Sequence, residues 1–394
     1  MTRHRIILSG GGTGGHVYPA LSVWEQLEND PGVEAILYIG AKGHIEERIA
    51  TARKIDFVGL EVSGLPRKLS PSLVRWFFQM RNAIAEAKKI FSTFKPTVVL
   101  GTGGYASAPP LFAAMQLNVP FAVHEPDAHP GLVNRLFAKN ANLVSLGMKG
   151  AEERLKCGQG TVVVNGNPIR KGFIEPIDRR TARQNLGLSP ELKTIAITGG
   201  SQGARAINES ACGCIQRLLA HTPELQVIHQ AGDKNMDDVT AKIKEVELQS
   251  SAAGSILNNP RFCLRSYFED MSLVYAAADL AVCRSGAMTI SELAAMSLPA
   301  VFIPYPHAAQ NHQMHNARSV EEQGAALVIA QDDLTSDRLS EVLISLFSDE
   351  SKLSSMREAM SKIGKPKAAA DLAEQLKQLS AQYQSPAGQA ADND

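Results

Sequence analysis

A run of glycines followed by a histidine stands after the first apolar segment of the chain. The stretch GGGTGGH occupies residues 10–16, and a helix is predicted from about Pro19. Glycines let the backbone approach a ligand closely, and a following helix offers unpaired N–H groups to an anion. The spacing is neither a dinucleotide fingerprint nor a P-loop, so the turn alone is a weak signal. His16 could act there as an acid or a base, although a lone histidine is more often structural.

Glu292 is a second candidate, three residues after Thr289 at the start of a predicted helix, residues 289–296. The Thr-x-x-Glu spacing is that of a capping box, in which both side chains bind the helix N-terminus. The same carboxylate could instead accept hydrogen bonds from the two hydroxyls of a ribose. Spacing alone favours the capping box by about two to one.

Both candidates follow short apolar segments that predict buried parallel strands. These segments are residues 5–8, 33–40, 57–62, 97–100, 121–124 and 161–164, then 194–198, 227–229, 280–283 and 300–303. Helical segments between them indicate an α/β fold. The stretch GGSQGA at residues 199–204 follows its strand as the first glycine run does. Because ligands bind at the carboxyl ends of parallel strands, both turns are candidate ligand-binding turns.

Length and charge narrow the function. At 394 residues the chain is too long for one ordinary core, which predicts two domains. The 40 Lys and Arg residues balance 40 Asp and Glu residues, so no overall field attracts nucleic acid. The five cysteines lack metal-binding spacing and are expected to be reduced and mostly buried, including Cys212 and Cys214.

No segment is expected to be a signal peptide or to span a membrane. The apolar residues 6–8 are too few for a signal peptide. Residues 97–123 carry no charge, but glycines and prolines divide them into strand, loop and short helix.

Five motifs, in order, resemble those of the MurG family of peptidoglycan N-acetylglucosaminyltransferases. They are GGTGGH at 11–16, GTGGYASAP at 101–109, GNPIR at 166–170, GGSQGA at 199–204, and RSGAMTISE at 284–292 continuing to His307, Gln313 and Asn316. The resemblance extends from Gly10 to about Leu379 and so covers nearly the whole chain.

The resemblance implies the GT-B fold, an α/β architecture of two Rossmann-like doubly wound domains that face each other across a cleft. It implies an acceptor- and membrane-facing domain at residues 1–167 and a UDP-sugar-binding domain at 168–365. A helix at 366–382 would cross back to the first domain, and residues 384–394 would form a disordered tail.

The implied reaction is the inverting transfer of N-acetylglucosamine from UDP-N-acetylglucosamine to the muramyl 4-hydroxyl of lipid I, which forms lipid II. The resembling segment contains no Asp-x-Asp, so no metal is indicated, and no cofactor is expected. The enzyme would be peripheral on the cytoplasmic face of the cell membrane. Its implied partners are the donor, the polyprenyl-linked acceptor and an anionic membrane surface, without nucleic acid.

Motif position implies the catalytic and acceptor-side residues. His16 is the implied base, and Asp127 and Glu125 are the alternatives. Tyr105, Glu125 and Asn134 are assigned to the acceptor side. The family has asparagine where this chain has Asp127, so a carboxylate stands at the expected donor-sugar contact.

The resemblance also implies the donor-binding set. Its members are Thr13, Gly14, Gly15, Asp127, Arg170, Ser201, Phe268, Ala287, Met288, Thr289, Glu292 and Gln313. Ser201 would hold the pyrophosphate beside the helix terminus, and Arg170 would stabilise the departing UDP. A backbone group of Phe268 would recognise uracil, and the resemblance favours the ribose role for Glu292.

The predicted helix at residues 71–91 has a wide apolar surface. Leu73, Trp76 and Phe77 lie at helical spacing on one face, with Val74 and Phe78 on a neighbouring face. Such a stripe is more often core, but no acidic residue lies between 62 and 85. This wide apolar surface without acidic neighbours, together with the resemblance to a family of peripheral membrane proteins, predicts membrane contact. The predicted contact residues are Leu73, Val74, Trp76, Phe77, Phe78, Arg67, Lys68 and Arg75.

Three other functions are alternatives to the transfer of N-acetylglucosamine to lipid I. A related GT-B transferase could use another lipid or glycan acceptor. A UDP-N-acetylglucosamine 2-epimerase shares the fold and the nucleotide and would act with no acceptor present. A non-catalytic sensor fits least, because it would not need His16, Arg170, Ser201 and Glu292 together.

Overall fold

Two units, each built on its own parallel sheet, make up the computed structural model, which describes residues 3–66, 71–155, 157–249 and 255–384. The first unit ends at Arg170 and resumes at Lys365, and the second is Lys171–Gly364. The first unit therefore extends past the expected end of the first domain at Asn167. The expected disordered tail lies, apart from Gln384, outside the described residues.

Seven parallel strands form the sheet of the first unit. They are β1 (His4–Ser9), β2 (Val33–Ala41), β3 (Phe57–Leu60), β4 (Val98–Gly101), β5 (Phe121–Glu125), β6 (Leu143–Leu146) and β7 (Thr161–Val163). Their order across the sheet is β3-β2-β1-β4-β5-β6-β7. The sequence prediction lacked β6, a strand of four residues that includes a serine.

Helices cover both faces of this sheet. They are α1 (Gly14–Leu27), α2 (Ile45–Arg53), α3 (Pro71–Phe94), α4 (Ala108–Gln116), α5 (Leu132–Phe137) and, from the end of the chain, α14 (Ala368–Tyr383). One core lies between the sheet and α3, α4 and α5, and the other lies under α1, α2 and α14. Residues 97–123 form β4, a 3-10 turn, α4 and part of β5, as predicted. Within the described ranges no helix is long and apolar enough to cross a membrane.

The second unit repeats the design with six parallel strands. They are β8 (Lys193–Thr198), β9 (Leu225–Gln230), β10 (Phe262–Arg265), β11 (Leu280–Cys283), β12 (Ala300–Phe302) and β13 (Ala326–Val328). The order is β10-β9-β8-β11-β12-β13. The helices are α6 (Arg179–Asn185), α7 (Arg205–His221), α8 (Met236–Leu248), α9 (Met271–Ala277), α10 (Ala287–Ala295), α11 (His312–Glu321), α12 (Ser336–Ser348) and α13 (Glu350–Ile363).

Each sheet has a point where the strand order reverses. In the first unit it lies between β1 and β4, and in the second between β8 and β11. The connections from these two neighbours leave in opposite directions, which opens a crevice at the carboxyl ends of the strands. Both glycine-rich turns singled out in the sequence lie at these points, so each unit carries one candidate crevice.

Candidate active site

The crevice of the first unit is lined by the turns after β1 and β4. The Thr102 N–H donates to the Ser9 carbonyl at 2.8 Å, and the Gly11 N–H donates to the Gly103 carbonyl at 3.4 Å. Thr102 Oγ1 also donates to the carbonyl of His16 at 2.5 Å. These bonds join the first two glycine-rich motifs into one surface.

α1 begins earlier than the sequence predicted. Thr13 is its N-cap and Gly14 its first residue, and Pro19 lies inside it rather than near its start. The His16 N–H donates to the Thr13 carbonyl at 3.1 Å, which closes a turn before the proline. As a proline, residue 19 has no N–H to donate to the carbonyl four residues earlier, and the first turn is closed by the His16 and Val17 N–H groups, which both donate to the Thr13 carbonyl. His16 therefore lies on the first turn of α1, beside the helix N-terminus formed by Gly14 and Gly15.

The contacts of His16 assign its tautomer. Nδ1 lies 3.3 Å from the carbonyl oxygen of Gly11 and 3.3 Å from Thr13 Oγ1. A carbonyl oxygen can only accept a hydrogen bond, so in the neutral ring the bond to Gly11 places the proton on Nδ1. Nε2 then carries the lone pair and is the nitrogen that can take a proton from a substrate.

Gly103 provides the space that the imidazole occupies. Its φ is 100°, and a Cβ there would lie 2.7 Å from His16 Cδ2 and 3.1 Å from Nε2. The same Cβ would lie 3.4 Å from Asn134 Nδ2. A side chain at this position would displace the imidazole, and Gly103 brings His16 and Asn134 to one place.

Glu46 accepts a hydrogen bond from the glycine-rich turn after β1 and belongs to none of the motifs. It is 1% exposed, and its Oε2 accepts from the Gly12 N–H at 3.3 Å while Oε1 accepts from the Ala41 N–H at 3.1 Å. A Cβ at Gly11 would lie 2.2 Å from Oε1, so only glycine leaves room for the carboxylate. Sequence reasoning missed Glu46 because nothing local distinguishes it from its neighbour Glu47.

Two tyrosines surround the same turn. The Tyr38 hydroxyl donates to the Gly10 carbonyl at 2.7 Å, and the Tyr105 hydroxyl lies 3.4 Å from the ring nitrogens of His44. Burial raises the pKa of both phenols, and the Glu46 charge raises them further. Both hydroxyls are therefore neutral, and the predicted acceptor-side residue Tyr105 lies at this crevice.

Glu125, at the end of β5, is buried within its own loop. Oε1 accepts from the Asp127 N–H at 3.0 Å, and Oε2 accepts from the Gly131 N–H and from Asn134 Nδ2, both at 2.9 Å. Burial raises the pKa of Glu125 to about 7, the charge of Asp127 acts in the same direction, and the hydrogen bonds oppose them. The carboxylate therefore organises the loop that carries Asp127, which is itself half-buried.

Asn134 and Arg170 complete the predicted residues of this unit. Asn134 Nδ2 also donates to the His124 carbonyl at 2.9 Å, so both of its N–H groups are used. Its Oδ1 is buried and has no hydrogen-bond partner within the described part of the chain. The guanidinium of Arg170 lies over the ring of Tyr18 in α1, 4.9 Å from the ring centre. Arg170 therefore lies against α1, the helix that also carries His16.

The crevice of the second unit includes the turn after β8. α7 begins at Arg205 with Ala204 as its N-cap, and Ser201 is exposed inside the preceding turn. Ser201 therefore lies in the turn that precedes the helix, and the N-terminus of α7 is formed by the residues from Ala204 onward. Gly203 has a φ of 72° and its N–H donates to the Gly200 carbonyl at 2.9 Å, so the chain turns once more before the helix starts.

The turn after β11 excludes one of the two interpretations of Glu292. α10 starts at Ala287 after the N-cap Gly286, so Thr289 lies within the helix. A capping box needs Thr289 at the N-cap, which Gly286 occupies, so that interpretation is wrong. Glu292 is 7% exposed on the next turn. Among its predicted neighbours, Thr289 is half-buried, and Ala287 and Met288 are buried.

The segment around Gln313 is tied to the same turn. Ser285 Oγ donates to the Gln313 carbonyl at 2.7 Å, and Asn316 Nδ2 donates to the Ser285 carbonyl at 3.3 Å. Gln313 Oε1 accepts from the Tyr305 N–H at 2.9 Å, so its Nε2 is the end that can donate to a ligand. The motif that begins with RSGAMTISE at 284–292 and continues to Asn316 is thus closed on itself, because hydrogen bonds join Ser285 near its start to Gln313 and Asn316 near its end.

Phe268, in the segment after β10, is also attached to this edge of the sheet. Its N–H donates to Oε1 of Gln230 at 2.9 Å, so its carbonyl is the backbone group that can recognise a base. Gln230 is the last residue of β9 and belongs to none of the motifs. Sequence reasoning missed it because a single glutamine at a strand end carries no spacing signal.

The outer face of α3 carries part of the predicted membrane surface. Val74, Phe77 and Phe78 are 60%, 61% and 54% exposed. The sequence placed Phe77 with Leu73 and Trp76, but it lies on the outer face with Val74 and Phe78. The outer face also includes Arg75, which is exposed.

The inner face of the first turns of α3 lies against the unit. Leu73 and Trp76 are half-buried, and Trp76 Nε1–H donates to the Ser63 carbonyl at 3.0 Å. That bond anchors the indole, so the exposed phenylalanines point away from it. The predicted contacts Arg67 and Lys68 lie outside the described residues.

The described residues contain neither a metal-binding cluster nor a disulfide. No group of three or more His, Cys, Asp or Glu side chains within the described ranges could hold a metal ion. All five cysteines are free thiols. Cys212 and Cys214 are buried, as predicted, and burial raises their pKa values to about 11 and 12.

Solved structures share this architecture. MurG of Acinetobacter baumannii superposes with a TM-score of 0.74 at 26% identity, covering 96% of this chain and all of that one (100%). A UDP-GlcNAc 2-epimerase from Neisseria meningitidis bound to UDP-GlcNAc gives a TM-score of 0.65 at 13% identity over 96% of this chain and 100% of its own, which shows a shared fold alone. The fold is therefore that of the GT-B class of two Rossmann-like domains.

Sequence comparison then gives the family. The glycosyltransferase family 28 N-terminal domain matches residues 6–145, and the family 28 C-terminal domain matches residues 194–376. The UDP-N-acetylglucosamine--N-acetylmuramyl-(pentapeptide) pyrophosphoryl-undecaprenol N-acetylglucosamine transferase of Halothermothrix orenii is 38% identical over 92% of this chain and 95% of its own. The protein of the same name from Acetivibrio thermocellus is 37% identical over 91% and 94%. The chain belongs to glycosyltransferase family 28, and the resemblance to MurG is confirmed.

Proposed function

We propose that the protein transfers N-acetylglucosamine from UDP-N-acetylglucosamine to the muramyl 4-hydroxyl of lipid I, forming lipid II. The observation that carries the proposal is the setting of His16 at the first crevice. Its Nδ1 contacts the Gly11 carbonyl at 3.3 Å, which leaves Nε2 as the proton acceptor. The names of the relatives supply the two substrates.

In the proposed reaction His16 is the general base. Nε2 takes the proton of the acceptor hydroxyl as its oxygen forms a bond to the anomeric carbon of the sugar. The bond from that carbon to the β-phosphate oxygen breaks, and the electron pair leaves with UDP. Attack on the face opposite the leaving group inverts the anomeric configuration. A positioned base of this kind contributes about 10²–10⁴ in rate.

Acceptor binding is assigned to the residues beside His16. Asn134 uses both N–H groups within the protein, so its buried Oδ1 is directed to accept from a substrate hydroxyl. Tyr105 offers a neutral hydroxyl at the same crevice. Glu125 is less suited than His16 to serve as the base, because its two oxygens accept three hydrogen bonds from its own loop. Asp127 remains the alternative base.

Donor binding is assigned chiefly to the second unit. Glu292 would accept from the ribose hydroxyls, because the start of α10 at Ala287 excludes the capping box and the resemblance assigns it that role. The Phe268 carbonyl would accept from the N3–H of uracil, and Gln313 Nε2 would donate to the sugar. Ser201 and the backbone of its turn would hold the diphosphate.

The first unit supplies the remaining donor contacts of the proposal. Thr13, Gly14 and Gly15 form the N-terminus of α1, whose N–H groups suit an oxygen-rich ligand. Arg170 would neutralise charge on the departing UDP, and Asp127 would contact the sugar. The structure describes no cluster that would hold a metal, and the proposed mechanism uses none.

Product analysis with labelled UDP-N-acetylglucosamine, in the presence and absence of lipid I, tests the proposal. Transfer of label to lipid I only when both are present is the expected result. Turnover of the nucleotide sugar alone, giving the 2-epimer, would identify the epimerase instead. Transfer to a different lipid or glycan but not to lipid I would identify the related transferase.

We further propose that the protein is peripheral on the cytoplasmic face of the membrane, with the outer face of α3 as its contact. The exposed Val74, Phe77 and Phe78 stand beside the exposed Arg75 and Arg81. Apolar side chains bury in the headgroup region, and each basic residue near an anionic surface adds about 1 kcal/mol. Because the proposed acceptor is polyprenyl-linked and held at the membrane, such binding would bring the enzyme to its substrate.

Vesicle binding tests this surface. Phe77→Ser with Phe78→Ser should weaken binding to vesicles of anionic phospholipid by at least about tenfold. The matched control is Leu248→Ser in the second unit, which removes a side chain that is 88% exposed. Turnover of a short-chain soluble acceptor should survive in the double variant. Equal vesicle binding by variant and control would place the contact elsewhere.

A further inference from the structure

Gln230 joins two loops of the second crevice through its side chain. It is 2% exposed at the carboxyl end of β9. Its Oε1 accepts from the Phe268 N–H at 2.9 Å. Its Nε2 donates to Thr198 Oγ1 and to the Gly200 carbonyl, both at 3.1 Å. Both ends of the amide are therefore used, one on each neighbouring loop.

The strand order explains why this position reaches both loops. β9 lies between β8 and β10, and the Cα of Gln230 is paired with Thr198 on one side and with Arg265 on the other. The turn of residues 199–204 leaves from β8, and the segment that contains Phe268 leaves from β10. A side chain at the end of the middle strand is thus the one that can contact both.

The orientation of the amide is determined by its partners. The Phe268 N–H can only donate and the Gly200 carbonyl can only accept, so the oxygen must face Phe268 and the nitrogen must face Gly200. A carboxylate of the same shape could accept from Phe268 but could not donate to Gly200. It would also place a buried charge behind a turn that is proposed to bind a diphosphate, which opposes anion binding.

We infer that Gln230 is a positioning residue that couples the diphosphate turn to the base-recognition loop. The inference rests on the proposed function, in which the turn at 199–204 holds the diphosphate and Phe268 recognises uracil. Through Gln230 the two halves of the nucleotide site keep a fixed separation, so that both ends of one UDP molecule are bound without further ordering of either loop. Preorganisation of this kind raises affinity by lowering the ordering cost of binding.

The same strand supplies a matched control. Gln226 is also buried, and its Nε2 donates to Ser189 O at 2.8 Å and to Thr194 Oγ1 at 2.9 Å while its Oε1 accepts from the Ser189 N–H at 3.0 Å. It lies at the amino end of the strand, at the opposite edge from the crevice. Replacing Gln226 removes a comparable set of hydrogen bonds without touching either ligand loop.

The experiment measures binding of UDP, uridine and inorganic pyrophosphate to the full chain by calorimetry, together with thermal unfolding. Gln230→Met keeps the side-chain volume and removes the three hydrogen bonds. UDP affinity should fall by about 10- to 100-fold, while uridine and pyrophosphate, each of which contacts one loop, should weaken by less than about threefold. Gln226→Met should leave all three affinities unchanged although it lowers the unfolding temperature.

Gln230→Glu is the second variant, and it keeps the bond to Phe268 while losing both donations. It should weaken UDP at least as much as Gln230→Met does, and should spare uridine. An equal loss for UDP and uridine, a loss of UDP affinity matched by the Gln226 control, or unchanged UDP affinity would each overturn the coupling role. If the unaltered chain failed to bind UDP, the proposed function itself would be overturned, and that result is distinguishable from all three.

Discussion

The glycine-rich turns of the two units use the same strand–turn–helix device but are supported by side chains of different charge. Behind the turn after β1 stands the carboxylate of Glu46, which accepts from the Gly12 N–H at 3.3 Å. Behind the turn after β8 stands the neutral amide of Gln230, which donates to the Gly200 carbonyl at 3.1 Å. A buried negative charge repels a phosphate and stabilises a nearby cation, whereas a neutral amide does neither.

The titratable groups of the two crevices also differ. The first contains His16 and also Glu125, whose pKa burial raises to about 7. The second contains the carboxylate of Glu292 and the guanidinium of Arg284, which donates to the two backbone carbonyls that follow β12. Two units with the same strand–turn–helix device can therefore be specialised through the side chain that supports the turn. The first turn is suited to a histidine that becomes positively charged, and the second to an anionic ligand.

The largest effect that this division predicts is on catalysis at the first turn. His16→Ala should lower kcat by roughly 10²–10⁴ while leaving the affinity for UDP nearly unchanged, because the base is lost and the nucleotide site is not. Steady-state rates with lipid I and calorimetry with UDP measure the two quantities. His221→Ala, an exposed histidine at the end of α7, is the control.

Two results would break the assignment of His16. A loss of UDP affinity in proportion to the rate would make His16 part of a phosphate-binding turn and erase the contrast between the units. An unchanged rate would transfer the role of base to Asp127 or Glu125.

The next effect concerns donor affinity at the second crevice. Glu292→Gln should weaken UDP binding by about 10- to 100-fold, since charge-assisted hydrogen bonds to two hydroxyls contribute about 1.5–3 kcal/mol. The variant should also discriminate less than the unaltered chain against a 2′-deoxy donor. A lower unfolding temperature with unchanged UDP affinity would show that the carboxylate serves the fold rather than the ligand.

A smaller effect should follow from replacing the carboxylate behind the first turn. In Glu46→Gln the new amide N–H must face the N–H of Gly12 or Ala41, because both carboxylate oxygens accept from backbone donors. The turn that contacts His16 should relax, and kcat should fall about tenfold at unchanged UDP affinity. Glu47→Gln on the same helix is the control. If Glu46→Gln weakened UDP binding instead of lowering kcat, Glu46 would act through the donor contacts proposed for the N-terminus of α1 rather than through His16.

The positioning role of Glu46 can be separated from a stability effect by a double-mutant cycle. If Glu46 acts through His16, Glu46→Gln should change the residual rate little when His16 is already alanine. An equal tenfold loss in both backgrounds would show that Glu46 acts independently of the histidine.

The smallest effect is a pH dependence of stability that belongs to the first unit. Because burial raises the pKa of Glu125 to about 7, the folded protein binds this proton more tightly than the unfolded chain does. Its contribution to the free energy of unfolding is therefore fully present at low pH and is lost as pH rises through 7. Between pH 6 and 7 the loss should be about 1 kcal/mol.

The contribution of Glu125 to the free energy of unfolding is measured as the difference between the unaltered chain and Glu125→Gln. The buried His124 and His229, whose pKa values burial lowers to about 4, make stability rise with pH and oppose the trend. Subtracting the denaturation free energies of Glu125→Gln from those of the unaltered chain at each pH removes their effect. A difference that does not change between pH 6 and 7 would contradict the raised pKa.

Much of the architecture follows from the sequence alone. Buried parallel strands such as β1, β8 and β11 are apolar runs that end in glycine or a polar turn, so their positions and the crevices at their ends were predictable. His16, Glu292 and Gln313 were predicted as site residues because each belongs to a motif that resembles those of the MurG family, and that prediction stands as part of the proposal. The local pattern failed where helix starts depended on neighbouring turns, as at Gly14, Ala287 and Arg205.

The tertiary structure alone decided which side chains support those motifs. Glu46 and Gln230 contact turns that lie about thirty residues away in the chain, and no local pattern marks a hydrogen bond between strands that become neighbours only in the sheet. Which face of α3 stays exposed was likewise settled by packing, because Trp76 is anchored to Ser63 and leaves Phe77 outside. Spacing along the chain specifies which residues share a turn, and the free energy of burial decides which charges and apolar faces the folded protein retains at its surface.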